Sequence, residues 1–106
     1  MSCIRTVKDR TSDPLGAAGE YASPGIKVEL YNQIRGLASA DQGGTVEFHE
    51  SFDGLTWYKT SSEAVTGGTP IGFAFVCHAY YAMVKYVNGA DAQTTFDLQV
   101  YVDPFV

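Results

Sequence analysis

The stretch Ser51-Phe52-Asp53-Gly54-Leu55-Thr56-Trp57 decides the fold, because it is a polar turn set between two alternating strand patterns. Asp53-Gly54 is a dipeptide that accepts positive φ in a tight hairpin, and the Asp side chain can bond its own downstream backbone. We therefore expect strands ending near Glu50 and starting near Leu55 to pair. Trp57 is predicted to anchor the core behind this turn.

A second turn lies in Tyr86-Val87-Asn88-Gly89-Ala90-Asp91-Ala92-Gln93-Thr94-Thr95-Phe96. Asn88 and Gly89 are predicted to supply positive φ for the turn. Gln93, with Thr94, is predicted to satisfy backbone groups that a loop between two strands leaves unpaired. Phe96 is expected to plug the core at the start of the last strand. All of these are predicted to be structural residues of the turns and the core.

Strand-like alternation of apolar and polar residues recurs around residues 26–31, 46–49, 80–87 and 96–103, with a further apolar run over 71–77. These short segments and the absence of a convincing amphipathic helix predict one all-β domain, an antiparallel β-sandwich over residues 26–106. Jelly-roll and immunoglobulin-like topologies both fit the pattern. Breakers fill residues 9–25, and we interpret residues 1–25 as an extended N-terminal arm or irregular segment.

The charge is unevenly distributed along the chain. Arg5, Lys8 and Arg10 against Asp9 give the first ten residues a net charge of +2, which leaves −7 for the rest of a chain whose total is −5. The three basic residues form a candidate arm that docks on an acidic surface of a neighbouring subunit. The alternative is a solvated, frayed terminus. Nucleic acid is not expected as a partner, because the body is acidic.

Catalytic and metal-binding chemistry is not indicated. His49 and His78 are the only histidines, and neither has the spacing of a metal site. No nucleophile, base and oxyanion donor are singled out by the pattern, so we expect neither an enzyme nor a cofactor. A carbohydrate-binding module is the more serious rival, because aromatic side chains with nearby amides and carboxylates make sugar platforms. The candidates for such a platform are Trp57, Tyr58, Tyr80, Tyr81 and Tyr101.

No run of about 18 apolar residues occurs, and the first residues lack the apolar stretch of a signal peptide. We therefore expect a soluble protein made in a cytoplasm, without a membrane partner. Cys3 and Cys77 do not form a disulfide framework.

The order of four motifs resembles a pattern in small β-sandwich virion proteins of bacteriophages, particularly capsid decoration (cement) and tail-associated modules. The motifs are Ser51 to Trp57, Gly67-Gly68, Tyr81-Ala82-Met83-Val84-Lys85-Tyr86-Val87-Asn88-Gly89 and Gln93-Thr94-Thr95-Phe96. The resemblance implies a jelly-roll-like or related sandwich, no enzymatic activity, and oligomers, often trimers, seated on a protein lattice. Such proteins often carry an arginine before the Asn-Gly turn, where this chain has Met83 and Lys85.

Together these observations favour a noncatalytic virion structural protein, most specifically a capsid decoration protein that stabilises the assembled shell. The expected partners are the major capsid protein or another virion protein and further copies of the chain, with a trimer favoured. The expected location is the virion, after synthesis in the host cytoplasm. The alternative is a tail or host-recognition module that binds a glycan or a cell-surface protein. A structural domain of a tail tube or baseplate is a third possibility.

Overall fold

The computed structural model describes residues 6–28 and 31–104, which form nine β-strands and no helix. The strands are β1 (Thr6–Thr11), β2 (Glu20–Ala22), β3 (Ile26–Lys27), β4 (Tyr31–Ala40), β5 (Gly44–Ser51), β6 (Tyr58–Val65), β7 (Ile71–Val76), β8 (Tyr81–Asn88) and β9 (Phe96–Pro104).

The strands form two antiparallel sheets. Sheet I has the order β1-β9-β4-β7, and sheet II has the order β2-β8-β5-β6, with β3 also paired to β8. Consecutive strands in the chain lie in different sheets, with two exceptions: β2 and β3, and β5 and β6, lie together in sheet II. This is the strand order of a jelly roll. The predicted antiparallel sandwich is confirmed, and of the two topologies left open the chain adopts the jelly roll.

The core lies between the sheets and is built from alternate positions along each strand. Ile34, Val84 and Leu98 are fully buried, and their neighbours in sequence face outward. Phe48 of sheet II stacks on Phe75 of sheet I with ring centroids 4.9 Å apart. Burial of each such side chain contributes about 1.5–3 kcal/mol. The inward rows of the two sheets therefore hold the sandwich together.

The N-terminal segment is more regular than its breakers predict. β1 pairs with β9 at the edge of sheet I, and β2 pairs with β8 at the edge of sheet II. Tyr21 Oη donates to Asp9 Oδ2 at 2.6 Å and so links these two edges. The expectation of an arm or irregular segment over residues 1–25, with the sandwich beginning at residue 26, is corrected for the described residues 6–25, because β1 and β2 belong to the two sheets. β1 has a mostly polar sequence, so its strand character comes from backbone pairing with a distant strand.

One end of the sandwich, here called the basal end, contains the loops 12–19, 41–43, 66–70 and 89–95. Asn88, the last residue of β8, is buried and donates from Nδ2 to Gly16 O at 2.8 Å and Asp91 O at 2.9 Å. Gln93 is also buried, and its Oε1 accepts from Leu15 N at 2.8 Å. The two amides therefore fasten the 12–19 loop to the β8–β9 connection.

Asn88 and Gly89 both differ from their prediction, because the described residues with positive φ are Ala18, Gly54 and Gly68. The chain does not turn sharply at Gly89, whose N–H donates to Gly43 O at 3.0 Å. A Cβ at residue 89 would lie 2.8 Å from that oxygen. Close approach of two backbones, and not positive φ, is the requirement for glycine at this position. Phe96 begins β9, is buried, and packs on Tyr86 with ring centroids 4.7 Å apart.

Asp41 at the basal end makes the stability of the fold depend on pH. Its carboxylate accepts hydrogen bonds from Thr94 Oγ1, Thr94 N and Thr95 N at 2.7–3.1 Å, which lower its pKa to about 2. A carboxylate whose pKa is lower in the folded state than in the unfolded state stabilises the fold at pH values above its unfolded-state pKa. This stabilisation is lost as the pH falls through the folded-state pKa. We expect urea unfolding midpoints to drop between about pH 4 and pH 2, and to drop less in Asp41→Asn. Equal acid sensitivity of the two proteins would contradict this prediction.

Candidate partner-binding surface

Large exposed apolar side chains concentrate at the end opposite the basal end, here called the apical end. Of the six that are exposed among the described side chains, Leu37 lies within sheet I, and five lie where β5, β6, β7 and β8 meet the apical loops. These five residues define the apical surface: Phe52, Leu55, Tyr58, Val76 and Tyr80. Phe52 is 69% exposed and Leu55 is 84% exposed. A cluster of this kind marks a protein interaction site more often than scattered apolar residues do.

Side-chain hydrogen bonds shape the loop that carries Phe52 and Leu55. Asp53 Oδ1 accepts from Leu55 N at 2.8 Å and Thr56 N at 2.9 Å, while Ser51 Oγ accepts from Gly54 N at 2.8 Å. The bonds from Thr56 N and Leu55 N lower the pKa of the Asp53 carboxyl. Gly54 has the expected positive φ, at 79°. The two apolar side chains are thus held outward by a loop whose polar groups are bonded internally.

This loop is longer than predicted. β5 and β6 pair as expected, but β6 begins at Tyr58 and not near Leu55, so the connection spans residues 52–57. Trp57 also differs from its prediction, because it is only partly buried and lies outside the core cluster. Its ring lies over Gly25, where a Cβ would be 2.9 Å from it. Trp57 ends the loop before the strand begins, so it covers the neighbouring chain segment and does not enter the core.

A buried carboxylate lies beneath the apical surface. Glu50 is 3% exposed, and its Oε2 accepts from Thr60 Oγ1 at 2.6 Å and contacts His78 Nδ1 at 3.0 Å. Its Oε1 accepts from His78 N at 2.5 Å and Ala79 N at 3.2 Å. Burial acts to raise the pKa of Glu50, but the hydrogen bonds from Thr60 and His78 outweigh it, so the pKa is lowered. Glu50 therefore fixes the β7–β8 loop against β6.

A pocket of about 160 Å³ opens above Glu50 and is bordered by Phe52, Tyr58, His78 and Ala79. The atoms that the pocket exposes are mostly apolar, although Ser51 and Thr60 also line it, and the His78 side chain is 66% exposed. The pocket is large enough for one apolar side chain of a partner. Sequence analysis missed Glu50, although Val46, Phe48 and Glu50 alternate on one strand face and thereby place a carboxylate inward.

Of the three basic residues predicted as a docking arm, Arg10 is the one whose side chain the structure describes, and it does not border this pocket. Arg5 lies outside the described residues, and Lys8 lies in β1 with a side chain that also falls outside them. Arg10 is exposed and forms an ion pair with Asp97 at 3.4 Å, between β1 and β9. Its described partner is therefore within the chain itself.

No group of three or more histidine, cysteine, aspartate or glutamate side chains in the described residues is arranged to hold a metal ion. His49 contacts Glu47 at 2.9 Å on the outer face of sheet II, apart from the His78 and Glu50 pair. Within residues 6–28 and 31–104 there is also no helix with the length and apolarity needed to cross a membrane.

These features define a jelly-roll domain with an apolar surface at one end. Residues 2–103 match the family described as "Uncharacterised protein YqxG N-terminal domain", and the chain belongs to this family. A comparison with curated protein sequences gave no match.

Several solved structures share the fold, among them the following three. The PBSX exported protein XepA is 24% identical, with a TM-score of 0.85 over 97% of this chain and 38% of that chain. A Bacillus endospore appendage from a family of disulfide-linked pili is 16% identical, with a TM-score of 0.57 over 99% of this chain and 93% of that chain. A CBM4 structure is 14% identical, with a TM-score of 0.56 over 95% and 78% of the two chains. The chain thus spans well under half the length of XepA.

Proposed function

We propose that this domain is a noncatalytic structural module of a phage particle and that it decorates the capsid by docking through its apical surface. The observation that carries the proposal is the set of exposed apolar side chains at one end of the sandwich, two of which, Phe52 and Tyr58, border an apolar pocket. The likeness to XepA, an exported phage protein, and to a spore appendage supports a structural role outside the cell that makes the protein.

The chemistry of the apical surface suits a protein partner. Aromatic residues are enriched at protein interfaces, and a few of them in desolvated pockets supply most of the binding energy. Phe52, Tyr58 and Tyr80 present such rings, and the pocket offers a place for an apolar anchor from the partner. The hydrogen bonds of Ser51, Asp53 and Glu50 hold the surface in place before binding, which lowers the entropy cost of association.

The mechanism is mass action. Copies that bind only the assembled shell stabilise it by the free energy of that binding, and a homo-oligomer, for which we favour a trimer, lowers the chance of release. The proposed partner is the major capsid protein, or another virion protein at the shell surface. Arg5 and Lys8 remain proposed secondary contacts on an acidic neighbour.

The double substitution Phe52→Ser and Leu55→Ser is expected to abolish docking while the domain stays folded. Both side chains are exposed, so the free energy of unfolding should change by less than about 0.5 kcal/mol. We expect occupancy on shells of the encoding phage, measured by co-sedimentation, to fall at least tenfold, and the stabilisation of the shells against heat to disappear.

Leu37→Ser is the matched control, because Leu37 is an exposed leucine on sheet I away from the apical surface. It should co-sediment like the unmodified protein. Full occupancy by the double variant would refute docking through the apical surface, and failure of the unmodified protein to bind shells would refute decoration. The double substitution Arg5→Glu and Lys8→Glu tests the secondary contact in the same assay. Point substitutions are used because deletion of residues 1–24 would remove β1 and β2.

A further inference from the structure

An open trough of about 370 Å³ lies on the outer face of sheet I, on the side of the sheet turned away from the core. Its lining residues define it as the sheet I trough: Arg35, Gly36, Gly72, Phe73, Ala74 and Tyr101. The register places Arg35 on β4 between Tyr101 on β9 and Ala74 on β7. Its volume falls within the range of about 300–1,000 Å³ that is common for small-molecule sites.

The space arises because β7 carries small residues on its outward face. Gly72 and Ala74 are exposed, whereas Phe73 turns inward and is buried. A Cβ at residue 72 would find no atom closer than Gly36 O, at 3.8 Å. The floor of the trough is therefore strand backbone, and larger side chains stand along the β4 and β9 side.

The polar groups along that side are oriented by neighbouring amides. Arg35 Nε donates to Gln33 Oε1 at 2.9 Å. Tyr101 Oη donates to Gln99 Oε1 at 2.5 Å. A guanidinium and a phenol ring are thus fixed next to each other by residues two positions away on their own strands. Orientation before binding reduces the entropy lost when a ligand is ordered.

We infer that the sheet I trough binds a neutral saccharide. A guanidinium is a planar fork of donors that suits adjacent hydroxyl oxygens, and an aromatic ring accepts the apolar face of a sugar. The trough is open and shallow, so it fits an extended polar chain better than an apolar ligand that needs enclosure. The net charge of −5 disfavours polyanions. This function is separate from docking through the apical surface.

The test is a titration of the ¹⁵N-labelled protein with neutral tetrasaccharides of glucose, N-acetylglucosamine and galactose, with tetragalacturonate as the anionic comparison. At least one neutral probe should give saturable shifts of backbone amides in β4, β7 and β9. Gly72→Val fills the trough with a residue that strands favour, and Arg35→Met removes the guanidinium. Each should weaken binding at least tenfold.

Ala64→Val is the matched control for Gly72→Val, because Ala64 is an exposed small residue on β6 of the other sheet. It should bind like the unmodified protein, as should the Phe52→Ser, Leu55→Ser variant. The inference is overturned if no neutral probe shifts the amides of sheet I, if only tetragalacturonate binds, or if Arg35→Met and a folded Gly72→Val bind as tightly as the unmodified protein.

Discussion

Replacing Gly36 by alanine is expected to lower the free energy of unfolding by about 3 kcal/mol or more. Gly36 lies in the middle of β4 and pairs with Phe73 of β7 on one side and Val100 of β9 on the other. A Cβ at residue 36 would overlap both the carbonyl oxygen of Gln99 and the ring of Phe73. The oxygen belongs to a central strand and cannot move without disturbing the ladder, and the ring belongs to the core.

Gly72→Ala is the matched control, since Gly72 lies next to Gly36 across the β4–β7 pair, but a Cβ there would make only an ordinary contact, 3.8 Å from Gly36 O. It should leave the free energy of unfolding unchanged or slightly raised, because alanine loses less backbone entropy than glycine on folding. Urea unfolding followed by fluorescence of Trp57, the single tryptophan, measures both variants. A loss of less than about 1 kcal/mol in Gly36→Ala would show that β4 and β9 separate more easily than the packing implies.

The central strands were predictable because their signal is local. In β8 and β9, alternation of apolar and polar residues places Val84, Tyr86, Leu98 and Val100 inward, and the structure buries all four. β1 was not predictable in this way. Its six residues are mostly polar, and it is a strand because β9 offers an unpaired row of backbone groups.

The candidate surfaces were harder to predict from the sequence than the core. Phe52 and Leu55 belong to a turn whose sequence predicts a hairpin and no binding surface, and their outward direction depends on the hydrogen bonds of Ser51 and Asp53. The sheet I trough depends on the register of three strands that are distant in sequence. A pattern along one strand carries no information on which residues of another strand lie beside it.

Replacing Glu50 by alanine is expected to cost about 3 kcal/mol of stability and to remove the pocket in the apical surface. The carboxylate accepts from Thr60 Oγ1 and from the backbone N–H groups of His78 and Ala79, and alanine leaves these donors without their acceptor. The β7–β8 loop should then loosen, which amide hydrogen exchange at residues 77–80 would detect. Because His78 and Ala79 border the pocket, shell binding should weaken together with the loop.

Glu47→Ala separates this effect from the loss of a carboxylate in general. Glu47 lies on the same strand but faces outward, contacting His49 at 2.9 Å and Lys59 at 3.7 Å, so its removal should cost less than about 1 kcal/mol.

Glu50→Gln keeps the shape of the side chain and tests the contribution of its charge. Since hydrogen bonding lowers the folded-state pKa of Glu50, its contribution is present at neutral pH and is lost on acidification below the ordinary value of 4.5. Glu50→Gln should therefore be less stable than the unmodified protein at neutral pH, and its stability should be less sensitive to acid. If Glu50→Gln and the unmodified protein were equally stable at neutral pH, the hydrogen bonds, and not the charge, would hold the loop.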